Sequence, residues 1–212
     1  MSYNFEEQDQ LDDLKAFWNK YGTFILTVVT VVALSVAAYR LWGWYQNKQA
    51  VDAAGAYSTL QQAVREKDMA RVRGASKTLF EDHDGSMLAA MGGLVAAKAH
   101  FDAGELDDAA QALRWVAENS EPDTFGTIAH IRLAGILLDQ DKAEEGLALL
   151  DGHETPEAYK GQVADRRGDL LAALGKRDEA IAAYDEALSE AGFSRGPQAG
   201  IRLKRDALKA AG

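Results

Sequence analysis

From Tyr21 to Tyr39 the chain reads YGTFILTVVTVVALSVAAY, nineteen residues without a formal charge. Wound as a helix at about 1.5 Å per residue, such a run nearly crosses a hydrocarbon core about 30 Å thick. Its flanks suit a membrane interface. Phe17, Trp18 and Tyr21 stand on one side and Trp42, Trp44 and Tyr45 on the other, with Lys20 and Arg40 just outside the apolar stretch. A helix in the core of a soluble protein would show a polar face, and this run has none. The sequence therefore predicts a tail at 1–20, a transmembrane anchor at 21–44 and a separate domain at 45–212.

A cleavable signal peptide is the rival reading, because Ser35-Val36-Ala37 before Ala38 loosely meets the small-residue rule for cleavage. Three features favour an uncleaved anchor. The leading twenty residues carry five acids against two lysines, the apolar run exceeds the usual length of about 7 to 15, and the aromatic belt continues past the site. Charge does not choose the orientation: Lys15 and Lys20 on one side balance Arg40 and Lys48 on the other. Residues 49–212 carry a net −9, which argues against nucleic acid as a partner and against attraction to an anionic membrane surface. The absence of Cys rules out disulfides, a Cys zinc site and a Cys nucleophile, and leaves the chain indifferent to redox compartment.

Beyond residue 90 the chain repeats itself. Ala109 follows Gly104 by five residues, Gly146 follows Asp141 by five and Ala180 follows Gly175 by five, so the units are offset by 37 and then 34. Upstream, Ala97, Ala134 and Gly168 keep the same 37 and 34 spacing. A period of this size marks stacked helical hairpins. A small residue midway along each helix lets two axes approach, and Gly at the turn supplies the left-handed backbone that ends the first helix. Large residues fill the remaining gap: Leu113 and Val116 in one second helix, Tyr184 and Leu188 in the last.

This pattern resembles the tetratricopeptide repeat. The last unit matches best, with Gly168, Leu171, Gly175, Ala180, Tyr184 and Ala187 at the pattern's positions, although Ala164 stands where Trp is usual. Residues 49–82 have helical periodicity, with Val51, Ala54, Tyr57 and Leu60 on one stripe and Val72, Ala75 and Leu79 on another, and predict a further hairpin that matches poorly. Gly196-Pro197 predicts a break before a closing helix from Gln198 to Ala210. The fold class is all-α: a single N-terminal transmembrane helix followed by a tetratricopeptide-like helical-hairpin solenoid.

No segment has the spacing of a catalytic, phosphate-binding or metal site. Asp139, Asp141 and Glu144 read as a solvated turn, since Ala143 and Glu144 stand where a calcium loop needs an oxygen ligand and Gly. Asp82, His83 and Asp84 read as a helix end before Gly85, and His100 and His130 as packing residues. His153 falls in a connecting loop with no evident partner. The sequence thus predicts no catalytic residue, cofactor or metal, and no enzyme.

The acidic N-terminal tail, one anchor ending in RLWGWYQ, and a degenerate repeat domain containing VADRRGDLLAALGKRDEA resemble the YfgM family of bacterial inner-membrane proteins. Val163 to Ala180, with Asp165, Arg167, Gly168 and Gly175, is the most specific stretch, and FDAGELDDAAQAL and IRLAGILLDQ support it. The resemblance implies an ancillary subunit of the SecYEG translocon, N-terminus cytoplasmic and repeat domain periplasmic, in contact with periplasmic chaperones or newly exported polypeptides. The residues alone reach only an anchored interaction module; a cytoplasm-facing scaffold and a signal-cleaved periplasmic enzyme are the alternatives.

Carried over from the repeat pattern, the candidate protein-binding wall runs along the first helix of each pair. It comprises Met91, Leu94, Lys98 and Phe101, then Ile128, Ile131 and Leu138, then Gln162, Asp165 and Asp169. Two units of that wall are apolar and the third is acidic. Either a partner docks on the apolar part or the helices of 49–82 cover it.

Overall fold

The computed structural model describes residues 3–120, 125–189 and 195–210. Its helices are α1 (Tyr3–Glu66), α2 (Met69–Asp82), α3 (Met87–Asp102), α4 (Leu106–Asn119), α5 (Thr127–Asp139), α6 (Ala143–Asp151), α7 (Lys160–Ala173), α8 (Arg177–Ser189) and α9 (Arg195–Ala210). A short 3-10 turn, Glu157–Tyr159, precedes α7, and the described residues contain no strand. Two compact units meet between Val51 and Asp52.

In the first unit, the most apolar stretch of α1 is not buried anywhere within the protein. Phe24, Leu26, Val32, Leu34 and Val36 are all exposed, an arrangement that water would penalise and hydrocarbon would not. Three of the hydroxyls in this stretch are satisfied inside the helix. Thr27 Oγ1 donates to the Thr23 carbonyl, Thr30 Oγ1 to that of Leu26 and Ser35 Oγ to that of Val31, each at 2.8 Å. These bonds satisfy three donors that hydrocarbon could not. The helix is long and apolar enough to cross a membrane.

The second unit begins with the last part of α1, and its described residues form four hairpins, the first of them the hairpin expected from residues 49–82. Backbone φ is positive at Gly104 (79°), Asp141 (60°) and Gly175 (70°), and also at Lys67 (57°). All four turns share one hydrogen-bond pattern. The residue after the left-handed one donates its N–H five residues back: Asp68 to Ala63, Glu105 to His100, Lys142 to Leu137 and Lys176 to Leu171. This closure satisfies carbonyls that the end of the first helix would otherwise leave unpaired. Five residues past each left-handed position, Val72, Ala109, Gly146 and Ala180 donate to the carbonyl that starts the second helix. The repeat therefore starts one unit earlier than the Gly and Ala pattern shows, with Lys67 preceding Gly104 by the same 37 residues.

Close packing at small residues holds the hairpins together. A Cβ on Gly92 of α3 would lie 2.5 Å from Leu79 of α2 and 3.2 Å from Leu60 of α1, so both leucines seat against bare backbone. A Cβ on Gly168 of α7 would lie 2.4 Å from the Tyr184 ring of α8. Leu60, Leu79, Leu113, Leu133 and Leu170 are fully buried, each contributing roughly 1.5–3 kcal/mol. The ring of Phe80 stacks on Trp115 at 4.1 Å, joining α2 to α4.

At the far end α9 covers α8 and buries Ile201 among Ala164, Leu171, Ala183 and Ala187. Gly196 and Pro197, expected to break the chain, instead lie in the first turn of α9. Proline is tolerated there because the first amides of a helix have no intrahelical partner. Arg177 reaches from α8 to the carbonyls of Leu208 and Lys209, satisfying the end of α9. Removing residues 1–48 is expected to leave a soluble, cooperatively folding domain, because among the described residues the buried hydrophobic side chains begin at Ala53 and the clusters draw on Ala56 and later residues. Circular dichroism and thermal melting check this, and a chain that fails to fold would place the first unit in the core.

Candidate protein-binding groove

The first helices of the pairs build one wall. Along it lie two adjoining hollows of about 450 and 430 Å³. Tyr57 and Val64 from the end of α1 and Met91, Leu94 and Val95 from α3 line one; Phe101 of α3 and Leu113 and Ile136 line the other. Lys98 and Arg132 line both. The hairpin from 52 onward thus forms a side of the groove and does not lie over it, and Phe101 remains 42% exposed.

The charges are arranged by the same helices. Lys98 pairs with Asp102 one turn along α3. Arg166 of α7 lays its guanidinium over the α5 backbone at Gly135, where a Cβ would meet it at 3.1 Å, and donates to Asp169 at 3.2 Å. Arg132 is exposed in the groove and makes no hydrogen bond or ion pair to another described residue.

The residues expected on this wall divide into groups. Met91, Leu94, Lys98 and Phe101 come together on α3 and face the hollows. Ile128 is half-buried and Gln162 exposed, and neither lines a hollow. Ile131 is buried with Ala134, Ala143, Leu150, Val163 and Leu170, and Leu138 packs on the same cluster between α5, α6 and α7. The α5 residues that reach the hollows are Arg132, Gly135, Ile136 and Asp139. Asp165 and Asp169 are both paired with Lys204 of α9, and Tyr184 donates its hydroxyl to Asp169 at 2.9 Å. Burial first and Asp169 second push the Tyr184 phenol well above its ordinary pKa. The acidic third of the expected wall is therefore occupied by Lys204 of the closing helix together with Arg166 of α7.

Sequence reasoning missed Arg132 and Asp139. They are the charges seven residues apart on an otherwise apolar helix, the spacing of a single non-core stripe.

On the face built by second helices, His100, Glu105 and Asp108 bring ligand-type atoms within 4.8 Å of one another. Arg73 of α2 already holds both carboxylates and keeps the Asp108 carboxyl below its usual range, while His100 Nδ1 meets Glu105 at 2.7 Å. The trio acts as an ion-paired brace between α2 and the start of α4, its negative charge used by a guanidinium that a metal ion would have to expel.

His153 does have partners. Its ring stacks on His130 at 4.0 Å and its Nε2 meets the Thr127 hydroxyl at 2.9 Å, while His130 Nδ1 donates to the Gly126 carbonyl. Burial, then the neighbouring His130, lowers the His153 pKa below 6.5, against a smaller opposing pull from Glu154. A histidine depressed in the folded state contributes stability that is fully present above its unfolded pKa. That contribution fades as pH falls below about 6.5 towards the lower folded value. The melting temperature should therefore fall more steeply between pH 7 and pH 5 in the parent chain than in His153→Asn; parallel curves would remove this role.

A family model described as a tetratricopeptide repeat-like domain matches residues 15–210. A protein of Neisseria gonorrhoeae named "Ancillary SecYEG translocon subunit" is 30% identical over 99% of this chain and 100% of its own length. The chain belongs to the YfgM family. Relatives of the same name occur in Escherichia coli, 26% identical over 84% of this chain and 85% of the relative, and in Haemophilus influenzae, 22% identical over 99% and 97%. YfgM-family chains are protein-interaction modules and not enzymes.

Proposed function

We propose that this chain is an ancillary subunit of the SecYEG translocon, held in the bacterial inner membrane by residues 21–44. In this reading the tail at 1–20 is cytoplasmic, and the repeat domain from 45 to 212 is periplasmic and meets periplasmic chaperones or newly exported polypeptides. The observation that carries the reading is near full-length similarity to relatives bearing that name, anchor included. The exposed apolar stretch of α1 supports a single membrane pass. The groove supports a binding role for the repeat domain, with Met91, Leu94, Lys98 and Phe101 as its contact residues.

Two measurements test it. Full-length chain extracted in mild detergent co-isolates SecY, and alkaline phosphatase fused after Gly212 is active whereas a fluorescent protein that matures only in the cytoplasm stays dark. The reverse reporter pattern would establish the cytoplasm-facing scaffold. Absence of SecY from every preparation would remove the translocon.

A further inference from the structure

Two features of the groove select a partner's chemistry. The first is its charge. In a domain whose net charge is −9, the hollows are lined by three cations, Lys98, Arg132 and Arg166, against two anions, Asp102 and Asp139. Lys98 is engaged by Asp102 and Arg166 by Asp169, which leaves Arg132 and, two helical turns along α5, Asp139 as the lining charges without a partner among the described residues, so that the two mark separate positions for a carboxylate and for a cation. The second is its apolar surface. Phe101 is 42% exposed above the buried Leu113 and Ile136, and volumes of this size match the pockets that accept ligand groups.

We propose that the groove takes an acidic, apolar polypeptide segment, seating an apolar side chain against Phe101 and a carboxylate on Arg132. The inference rests on the groove being the contact surface of the repeat domain. The net negative charge of the domain disfavours an acidic segment on most of its surface, so a carboxylate position at Arg132 sets where the segment lies. A segment with a cation at that point would face Arg132 and be rejected.

The test uses full-length chain in nanodiscs of zwitterionic lipid. Fluorescein-labelled ten-residue peptides share one apolar sequence and differ at a central Glu, Gln or Lys, with empty nanodiscs as background. The Glu peptide is expected to bind at least tenfold more tightly than the Lys peptide at low salt, with the margin shrinking as salt rises. Arg132→Glu inverts that order, and Phe101→Ala weakens all three peptides alike. Arg132 is exposed, so the variant keeps the parent melting temperature. Lys77→Glu, the same charge change on the opposite face, leaves the order intact.

Equal binding of the three peptides, no binding of any, a Glu preference that survives Arg132→Glu, or the same inversion by Lys77→Glu would each overturn the proposal. Co-isolation of SecY is read separately. If SecY is lost while the Glu preference stands, the translocon reading fails and this one does not; the opposite result removes only this one.

Discussion

Ile131→Asp is expected to unfold the repeat domain, whereas Arg132→Asp, one residue along, is expected to leave its melting temperature almost unchanged. Ile131 is only 9% exposed and packs in an apolar cluster with Ala134, Leu150, Val163 and Leu170. Losing the isoleucine and burying an unpaired charge together cost about 3–5 kcal/mol or more, a large part of the roughly 5–15 kcal/mol that holds a domain folded. Arg132 lies in the groove, where an exposed substitution shifts stability by about 0.5 kcal/mol or less. Thermal unfolding of residues 49–212 reads both. Exchanged outcomes would mean that α5 is rotated by about 100°, the angle one helical residue subtends, and similar melting would contradict the burial of Ile131.

Gly168→Ala should destabilise by roughly 1–3 kcal/mol, or several degrees of melting temperature, although alanine is the better helix former. The added methyl would lie 2.4 Å from a ring that is 2% exposed and fixed at its hydroxyl by Asp169. Moving that ring also disturbs the Asp169 carboxylate that binds Lys204, so α9 should loosen with it. Gly74→Ala supplies the contrast. Nothing lies within 4 Å of a Cβ there, so the same substitution should stabilise by about 0.5–1 kcal/mol. Equal signs at the two sites would contradict the close approach of α7 and α8.

Much of this fold can be read from the spacing of small residues. The registers at 97, 134 and 168 and at 104, 141 and 175 fall at mid-helix contacts and at left-handed turns. The first hairpin escapes that reading for a physical reason. Its turn uses Lys67, which tolerates positive φ at a cost of roughly 1–2 kcal/mol, and Leu60 and Val72 occupy the places that Ala takes later. There the room comes from the partner helix, at Gly92, which a search for small residues within each unit does not detect.

The groove was harder to read. Counting along the repeat puts Ile131 and Leu138 in line with Leu94 and Phe101, but the packing of α5 on α6 and α7 turns both into the core and brings Arg132 and Asp139 out. The acidity of Asp165 and Asp169 is visible in the sequence, whereas their pairing to Lys204, 35 residues or more away, depends on how α9 lands.

In the proposed function a translocon-bound anchor presents this groove to proteins outside the cytoplasm. The direct measurement places a photoreactive amino acid at position 101 in full-length chain, irradiates intact cells and identifies the crosslinked products, with position 77 on the opposite face as reference. The account predicts that position 101 captures translocon subunits, periplasmic chaperones or polypeptides in export, and that position 77 does not. Cytoplasmic products from position 101, or the same products from both positions, would contradict it.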